Sequence, residues 1–201
     1  LSYDKVKKCM EAFVFGVNTP SRWGTQAPFS HISMDFKVPK DMAGEKAIVG
    51  GKKMGFTYGE CQDEMDMVNR AFLETMLEGD ANGQGFQYPI PSYGINADFD
   101  WSDTEQNRLL FSLASRHGTP YFINYVRGGA VQGEDRVTYG DDSRDLRVLH
   151  KKAGGFFGYG EHTGAVGVVT VNLPRIAYQS RNEDEFYGKL DHMMDVSARS
   201  L

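Results

Sequence analysis

The feature that most constrains this chain is an alternation of amphipathic helical segments with short apolar segments of strand type. The clearest helix covers residues 62–78, where apolar side chains recur at helical spacing and Gly79 follows at the position of a helix stop. Further predicted helices cover residues 2–15, 102–116, 144–152 and the segment after 180, and predicted strands cover 31–38, 86–95 and 120–126. Neither a repeat nor a linker interrupts the order, which predicts the α/β class.

Local signals refine these elements. Ser102 and Ser180 each stand three residues before a glutamate, which predicts a capping box at the start of two helices. The second of these helices is expected to turn Phe186, Leu190, Met193 and Met194 inward. Pro89 and Pro91 predict that the strand at 86–95 is bulged or lies at a sheet edge. Residues 39–59 and 127–143 are glycine-containing and polar, and are predicted to form an excursion and a loop.

Residues 161–178 contain a run of β-branched and small residues that ends in Asn-Leu-Pro-Arg. Such a run is typical of a strand buried on both faces, and its glycine-rich approach suits a backbone that comes close to a ligand. An ordinary core strand with its turn is the alternative. Together with residues 18–29 and 158–164, the end of this segment at 172–175 is predicted to form a site for a polar ligand.

Composition excludes several classes. The chain has 201 residues, 40% apolar and 24% charged, and its net charge of -5 provides no basic surface for nucleic acid. Its apolar runs are too short for a membrane helix. Cys9 and Cys61 are its two cysteines, and they lack zinc-ligand spacing, so we expect neither a disulfide framework nor a structural zinc site. So few cysteines are typical of a protein from the reducing cytoplasm. The five histidines share no ligand spacing, and Gly158-Tyr-Gly160 lacks the order of a dinucleotide fingerprint.

Several long strings resemble one enzyme family. They are NTPSRWGTQAPF (18–29), DMVNRAFLE (66–74), EGDA (78–81), FQYPIPSY (86–93), DFDW (98–101), GTPYFIN (118–124), GGFFG (154–158) and the segment 161–178. In this order they resemble the anaerobic, class III ribonucleoside-triphosphate reductases, which are glycyl radical enzymes, over nearly the whole chain.

The resemblance implies that residues 1–201 are a single segment of a ten-stranded α/β barrel, without the N-terminal region and the C-terminal glycyl-radical and zinc region. It implies reduction of ribonucleoside triphosphates to deoxyribonucleotides for DNA replication, with formate as reductant and ATP and deoxynucleotides as effectors. A glycyl radical outside this segment, made by a radical S-adenosylmethionine activase, would generate a cysteine thiyl radical. The resemblance also implies a homodimer, whereas the composition predicts a cytoplasmic protein that spans no membrane and binds no nucleic acid.

The chain departs from this pattern at the radical loop. The family's Met-Cys-Cys-Arg falls, counted without gaps from Tyr121, on Thr138, Tyr139, Gly140 and Asp141, and neither cysteine is present. Cys9 and Cys61 do not match that loop, and each is expected to be a buried or half-buried thiol. The catalytic residue is therefore unknown.

The resemblance and the polar motifs together suggest substrate-binding residues, each with a structural alternative. For Asn18, Ser21 and Arg22 the alternative is to form the scaffold of the nucleotide site, and Arg22 could instead brace its loop through an internal salt bridge. For Asn172 and Arg175 the alternative is to tie the strand end to neighbouring backbone. The candidates are Asn18, Ser21, Arg22, Glu161, His162, Thr163, Asn172 and Arg175. Two hypotheses remain: a reductase segment with an altered radical loop, and a non-catalytic relative that keeps the nucleotide pocket for binding or regulation.

Overall fold

The computed structural model describes residues 2–20, 24, 27–95, 98–124, 136–139, 142–145 and 168–201. These residues fall into two compact units, Leu1–Gly160 and Glu161–Leu201, each described by itself.

The first unit mixes helices and strands as the α/β class requires. In chain order its elements are α1 (Tyr3–Val17), β1 (His31–Met34), α2 (Lys40–Ala43), β2 (Lys46–Val49), β3 (Lys52–Thr57), a 3-10 helix (Tyr58–Cys61), α3 (Gln62–Glu78), β4 (Ile90–Ile95), α4 (Glu105–His117), β5 (Tyr121–Asn124), β6 (Arg136–Tyr139) and β7 (Asp142–Asp145). Strands β1, β4 and β5 form a three-stranded parallel sheet in that order. Helix α3 connects β1 to β4, and α4 connects β4 to β5, which is the β-α-β-α-β unit of α/β proteins.

Helices α1, α3 and α4 pack together over this sheet. The shared core contains one α1 residue, three from α3, one from β4 and two from α4, namely Val14, Phe72, Leu73, Met76, Tyr93, Leu110 and Leu113. Helix α3 has the predicted bounds, and Gly79 ends it with a φ of 75° that side chains with a Cβ rarely adopt. Helix α4 begins two residues later than a Ser102 cap would require, because Thr104 Oγ1 accepts the amide of Asn107.

The prediction that Pro89 and Pro91 mark an edge or bulged strand was wrong, because β4 is the central strand and its registers with β1 and β5 are continuous. The amide of Ile90 donates to Ser30 O, so the alternation of the strand places the missing N–H of Pro91 on the β5 side. Pairing with β5 begins one residue later, at Ser92 with Tyr121. Pro91 therefore interrupts neither ladder.

Residues 39–59 are not an irregular excursion. They contain helix α2 and an antiparallel hairpin of β2 and β3. Gly50 and Gly51 connect the strands with φ of 57° and 77°, the backbone that a two-residue hairpin turn requires.

The predicted loop at 127–143 was also wrong in part, since β6 and β7 pair antiparallel from Arg136 with Asp145 to Tyr139 with Asp142. Because Arg144 and Asp145 belong to β7, the helix predicted from residue 144 does not begin there. A polar hairpin of this kind lacks the alternation of apolar residues by which strands are recognised.

The second unit contains helices α5 (Leu173–Tyr178) and α6 (Glu183–Ser200). The buried strand predicted in this stretch is not found in its described part: residues 168–172 form no strand, and the Val168 side chain is 88% exposed. β-branched residues favour strands, but a strand also needs a neighbour for its backbone groups, and no described strand pairs here.

Helix α6 is capped by Asn182 rather than by the predicted Ser180, because Asn182 Oδ1 accepts the amide of Glu185 at 2.9 Å. Phe186 and Leu190 are half-buried, whereas Met193 and Met194 are exposed, so the inward face predicted for this helix is formed in part.

Candidate functional site

Asn18 lies at the end of α1, and backbone groups bind its side-chain amide. Its Nδ2 donates to Val14 O at 2.8 Å and to Tyr88 O at 2.5 Å, and its Oδ1 accepts the amide of Tyr88 at 3.1 Å. These bonds use both amide hydrogens and tie the end of α1 to the segment that enters β4. Asn18 thus has the geometry of a scaffold residue, the alternative stated for it above.

Asn172 and Arg175 lie in the second unit, at the start of α5. Asn172 Oδ1 accepts the amide of Arg175 at 2.9 Å, so Asn172 caps this short helix. Both side chains are exposed. This bond joins the Asn172 side chain to the Arg175 backbone, and contact of either side chain with a substrate stays a prediction.

The other predicted site residues lie outside the described residues: Ser21, Arg22, Glu161, His162 and Thr163. Where the family carries its radical loop, Thr138 and Tyr139 end strand β6, whereas Gly140 and Asp141 also lie outside. Of the two thiols, Cys61 is half-buried and its Sγ donates to Thr57 O at 3.4 Å. Cys9 is exposed on α1, so the expectation of a buried or half-buried thiol was wrong there, because Cys9 lies off the face that packs against α3.

A cavity of about 570 Å³ opens at the carboxyl ends of β1 and β4, between the first turns of α3 and α4. In α/β sheets this is the side on which ligands bind. Phe36 and Phe99 provide apolar walls and contact each other edge to face at 5.8 Å between ring centres. The polar lining groups are Asp35, Lys37, Gln62, Asp66, Asp98, Asp100, Thr104, Gln106 and Asn107.

The cavity lining is acidic, with four aspartates and one lysine. Lys40 holds Asp98 in an ion pair at 2.6 Å and lowers the pKa of that carboxyl. The backbone amide of Ser102 donates to Asp100 and lowers its pKa in the same way. Both carboxyls are therefore ionised at neutral pH, and the cavity disfavours a polyanion such as a triphosphate.

A buried polar network stands beneath the cavity. Asn69 Nδ2 donates to Asp35 O at 2.9 Å and its Oδ1 accepts the hydroxyl of Tyr93 at 3.0 Å. Burial raises the pKa of Tyr93, so this phenol remains a neutral donor. Phe36 stacks on the Tyr93 ring at 4.6 Å. Because every partner is satisfied, the network holds the loop after β1 against α3 and shapes the cavity floor.

The sheet has a second polar surface on the face opposite the helices. Ile32, Met34 and Tyr93 pack against the helical core, and Phe122 stacks on Phe111 of α4. Because side chains alternate along a strand, the residues next to these in each strand point to the opposite face of the sheet. Residues that are paired in the parallel registers lie on the same face of the sheet. This opposite face is here called the His31 face, and its residues are His31, Ser33, Ile90, Ser92, Gly94, Tyr121 and Ile123.

A hydrogen bond across two strands organises the His31 face. His31 Nε2 lies 2.7 Å from Ser92 Oγ. Ser92 is 2% exposed in the central strand, whereas His31 is half-buried, and Ser33 and Tyr121 are exposed. The face therefore presents an imidazole and hydroxyl groups, each of which can donate and accept hydrogen bonds.

Sequence reasoning missed both surfaces. The cavity had a usable signal, since polar residues directly follow β1 and begin two helices, where parallel strands and helix starts meet at one sheet edge. The His31–Ser92 pair had none, because the two residues are 61 positions apart and meet only through the strand register. In the described ranges no group of three or more His, Cys, Asp or Glu could hold a metal ion. None of the described helices has the length and apolarity to cross a bilayer.

Fold and cavity together define an α/β domain with a polar cavity beyond the carboxyl ends of parallel strands, where α/β enzymes bind small molecules. The sequence profile of the family described as anaerobic ribonucleoside-triphosphate reductase matches residues 1–201. The chain belongs to this family.

A curated relative is the anaerobic ribonucleoside-triphosphate reductase of Haemophilus influenzae. It is 27% identical over 144 residues, which cover 66% of this chain and 20% of the relative. The chain thus spans about a fifth of the length of that enzyme.

Proposed function

We propose that this chain is a wall segment of a catalytic α/β barrel in a protein that reduces ribonucleoside triphosphates to deoxyribonucleoside triphosphates. The family match over residues 1–201 is the observation that carries the proposal. The described sheet supports the proposal of a barrel. The neighbouring strands β1, β4 and β5 stand in the sheet in the order in which they occur in the chain, and α1, α3 and α4 pack on one face of it. A barrel wall has this arrangement, whereas a doubly wound sheet places helices on both faces.

The charges of the described residues and of the loop at 18–29 bear on where the phosphates of a nucleotide would bind. The acidic cavity disfavours phosphates, so the triphosphate end of the nucleotide is proposed to lie away from it. The loop with Ser21 and Arg22 remains the proposed phosphate contact, because a guanidinium binds phosphate in a planar fork. Glu161, His162 and Thr163 remain proposed contacts to the ribose or to formate.

In this proposal the glycyl radical lies elsewhere in the protein, is made by a separate S-adenosylmethionine-dependent activase, and supplies hydrogen-atom abstraction, with formate as reductant. Effector nucleotides, zinc, a homodimer and a cytoplasmic location belong to the same proposal. The residues at the radical-loop positions do not fit a thiyl radical, since Thr138, Tyr139, Gly140 and Asp141 contain no sulfur. No step of the radical chemistry is therefore assigned to this chain.

The missing cysteines favour a second candidate, a non-catalytic relative that binds nucleotide. The test is to incubate the full-length protein anaerobically with its activase, S-adenosylmethionine, formate and each ribonucleoside triphosphate. Chromatography then measures deoxynucleotides, and electron paramagnetic resonance measures the radical. We expect deoxynucleotide only in samples that contain the activase. A formed radical without deoxynucleotide would refute the reductase and support the second candidate.

A further inference from the structure

We propose that the cavity at the carboxyl ends of β1 and β4 binds an organic ammonium ion that also carries a flat apolar body and a hydroxyl or carbonyl acceptor. Asp66 and Asp100 hold the ammonium group, Phe36 and Phe99 contact the apolar body, and Gln106 donates to the acceptor. Binding there goes beyond the proposed function, because it does not require that the protein reduces nucleotides.

Two carboxylates in the cavity wall are held by neutral groups. Gln62 Nε2 donates to Asp66 Oδ1 at 2.8 Å, and the backbone amide of Ser102 donates to Asp100 Oδ1 at 2.9 Å. Neither carboxylate forms an ion pair with a described residue. Because a cleft lined by charges of one sign concentrates ions of the opposite sign, this wall favours a cationic ligand.

The lysines at the edge of the cavity bind elsewhere. Lys40 Nζ forms an ion pair with the Asp98 carboxylate at 2.6 Å, and Lys37 Nζ donates to Asp98 O at 2.9 Å. Both ammonium groups thus contact residue 98 instead of Asp66 or Asp100. The cavity therefore keeps room for an ammonium group that the ligand brings.

Aromatic rings give the cavity an apolar wall. Phe36 and Phe99 are half-buried and contact each other edge to face. A cation is attracted to the face of an aromatic ring, and an aromatic ligand adds ring contacts of its own. The volume of about 570 Å³ is that of a pocket for a small organic molecule. A metal ion would leave the apolar wall without a contact.

A hydrogen-bond donor in the wall has no partner in the described structure. Gln106 is half-buried and lines the cavity, and its Nε2 is shielded from solvent without a hydrogen-bond acceptor. Buried polar groups of proteins nearly always have a partner. The terminal torsion of a glutamine side chain is soft, so the amide can turn toward an acceptor in the cavity. A hydroxyl or carbonyl oxygen of the ligand supplies that acceptor.

The experiment measures dissociation constants for the full-length protein by ligand-observed nuclear magnetic resonance titration. The probe is tyramine, which has an ammonium group, an aromatic ring and a hydroxyl. Phenethylamine lacks the hydroxyl, and in tyrosol a hydroxyl replaces the ammonium group. We expect wild type to bind tyramine about tenfold more tightly than tyrosol and about fivefold more tightly than phenethylamine.

Variants of the wall assign each contact. Asp66→Asn should weaken tyramine about tenfold and the more exposed Asp100→Asn about threefold, because asparagine keeps the acceptor oxygen but loses the charge. Both should leave tyrosol within about twofold, whereas a collapsed cavity would weaken tyramine and tyrosol equally. Gln106→Leu should weaken tyramine about fivefold and leave phenethylamine within about twofold.

Asp63→Asn is the matched control. Asp63 is exposed in the first turn of α3 and does not line the cavity, so this variant should bind tyramine as wild type does. Equal affinity of wild type for tyramine and tyrosol, no binding at about 10 mM ligand, or equal losses in Asp63→Asn and Asp66→Asn would overturn the inference. Displacement of tyramine by a ribonucleoside triphosphate would overturn it too, because the cavity would then take the nucleotide. Failure of nucleotide reduction beside the expected tyramine results would refute the proposed function alone.

Discussion

Replacing Glu74 by Gln should destabilise the first unit at neutral pH and have about half that effect at pH 3. Glu74 lies on α3 with its side chain 18% exposed, facing α1. Its carboxylate accepts the Tyr3 hydroxyl at 2.6 Å and Arg70 Nε at 2.9 Å, and it lies 3.1 Å from Lys7 Nζ. Glutamine keeps the shape of the side chain but removes the charge that these donors stabilise.

The magnitude follows from the pKa of Glu74. Burial raises this pKa, but hydrogen bonds from Tyr3, Arg70 and Lys7 outweigh burial and lower it from 4.5 to about 2. That difference corresponds to about 3 kcal/mol of stability at pH 7. Because the pKa is lower in the folded state, the contribution is complete above the unfolded value of 4.5 and is lost as the pH falls toward 2. At pH 3 about half of it should remain.

The assay is urea unfolding of the 201-residue chain followed by circular dichroism at pH 7 and pH 3. We expect Glu74→Gln to lower the free energy of unfolding by about 2–3 kcal/mol at pH 7 and by about half as much at pH 3. Glu45→Gln, at an exposed loop position, is the control and should change it by no more than about 0.5 kcal/mol at either pH. An equal deficit at both pH values would refute the argument, because a lost packing contact does not titrate.

Substitutions at four further positions test the backbone, the buried network and a helix cap by the same unfolding measurement. Gly79→Ala should cost about 1–3 kcal/mol, since φ is 75° and a Cβ would lie 2.4 Å from a carbonyl oxygen. Gly188→Ala, in an α6 position with nothing within 4 Å, should stabilise by about 1 kcal/mol, and equal effects of the two would contradict this reasoning. Asn69→Leu should cost about 2–3 kcal/mol by leaving buried Tyr93 without its acceptor, so a neutral result would contradict the network. Thr104→Ala should cost about 1 kcal/mol and Thr104→Ser much less; similar losses would show that the cap does not matter.

The accuracy of prediction differed between helices and the segments around them. Helix α3 was predicted at its observed bounds because its apolar spacing and Gly79 are local signals. The hairpin of β2 and β3 was missed although Gly50-Gly51 is a recognised turn signal, because lysine-rich strands show little apolar alternation.

The candidate site was less predictable than the fold. Asn18 was identified as notable from its polar loop, but its bonds to Tyr88, 70 positions away, depend on where α1 ends relative to β4. Likewise, the apolar run near Val168 indicated a buried strand, but Val168 and Val169 are exposed. Propensity cannot supply the neighbouring strand that a buried strand requires.

By itself the sequence determined the α/β class, the bounds of its most periodic helix and membership of the reductase family, because each depends on residues close together in the chain. Only the tertiary structure decided that β4 is central despite Pro91, that four aspartates line one cavity and that His31 meets Ser92. These features depend on strand order and register. They arise from packing between segments dozens of residues apart, which no local pattern of side chains specifies.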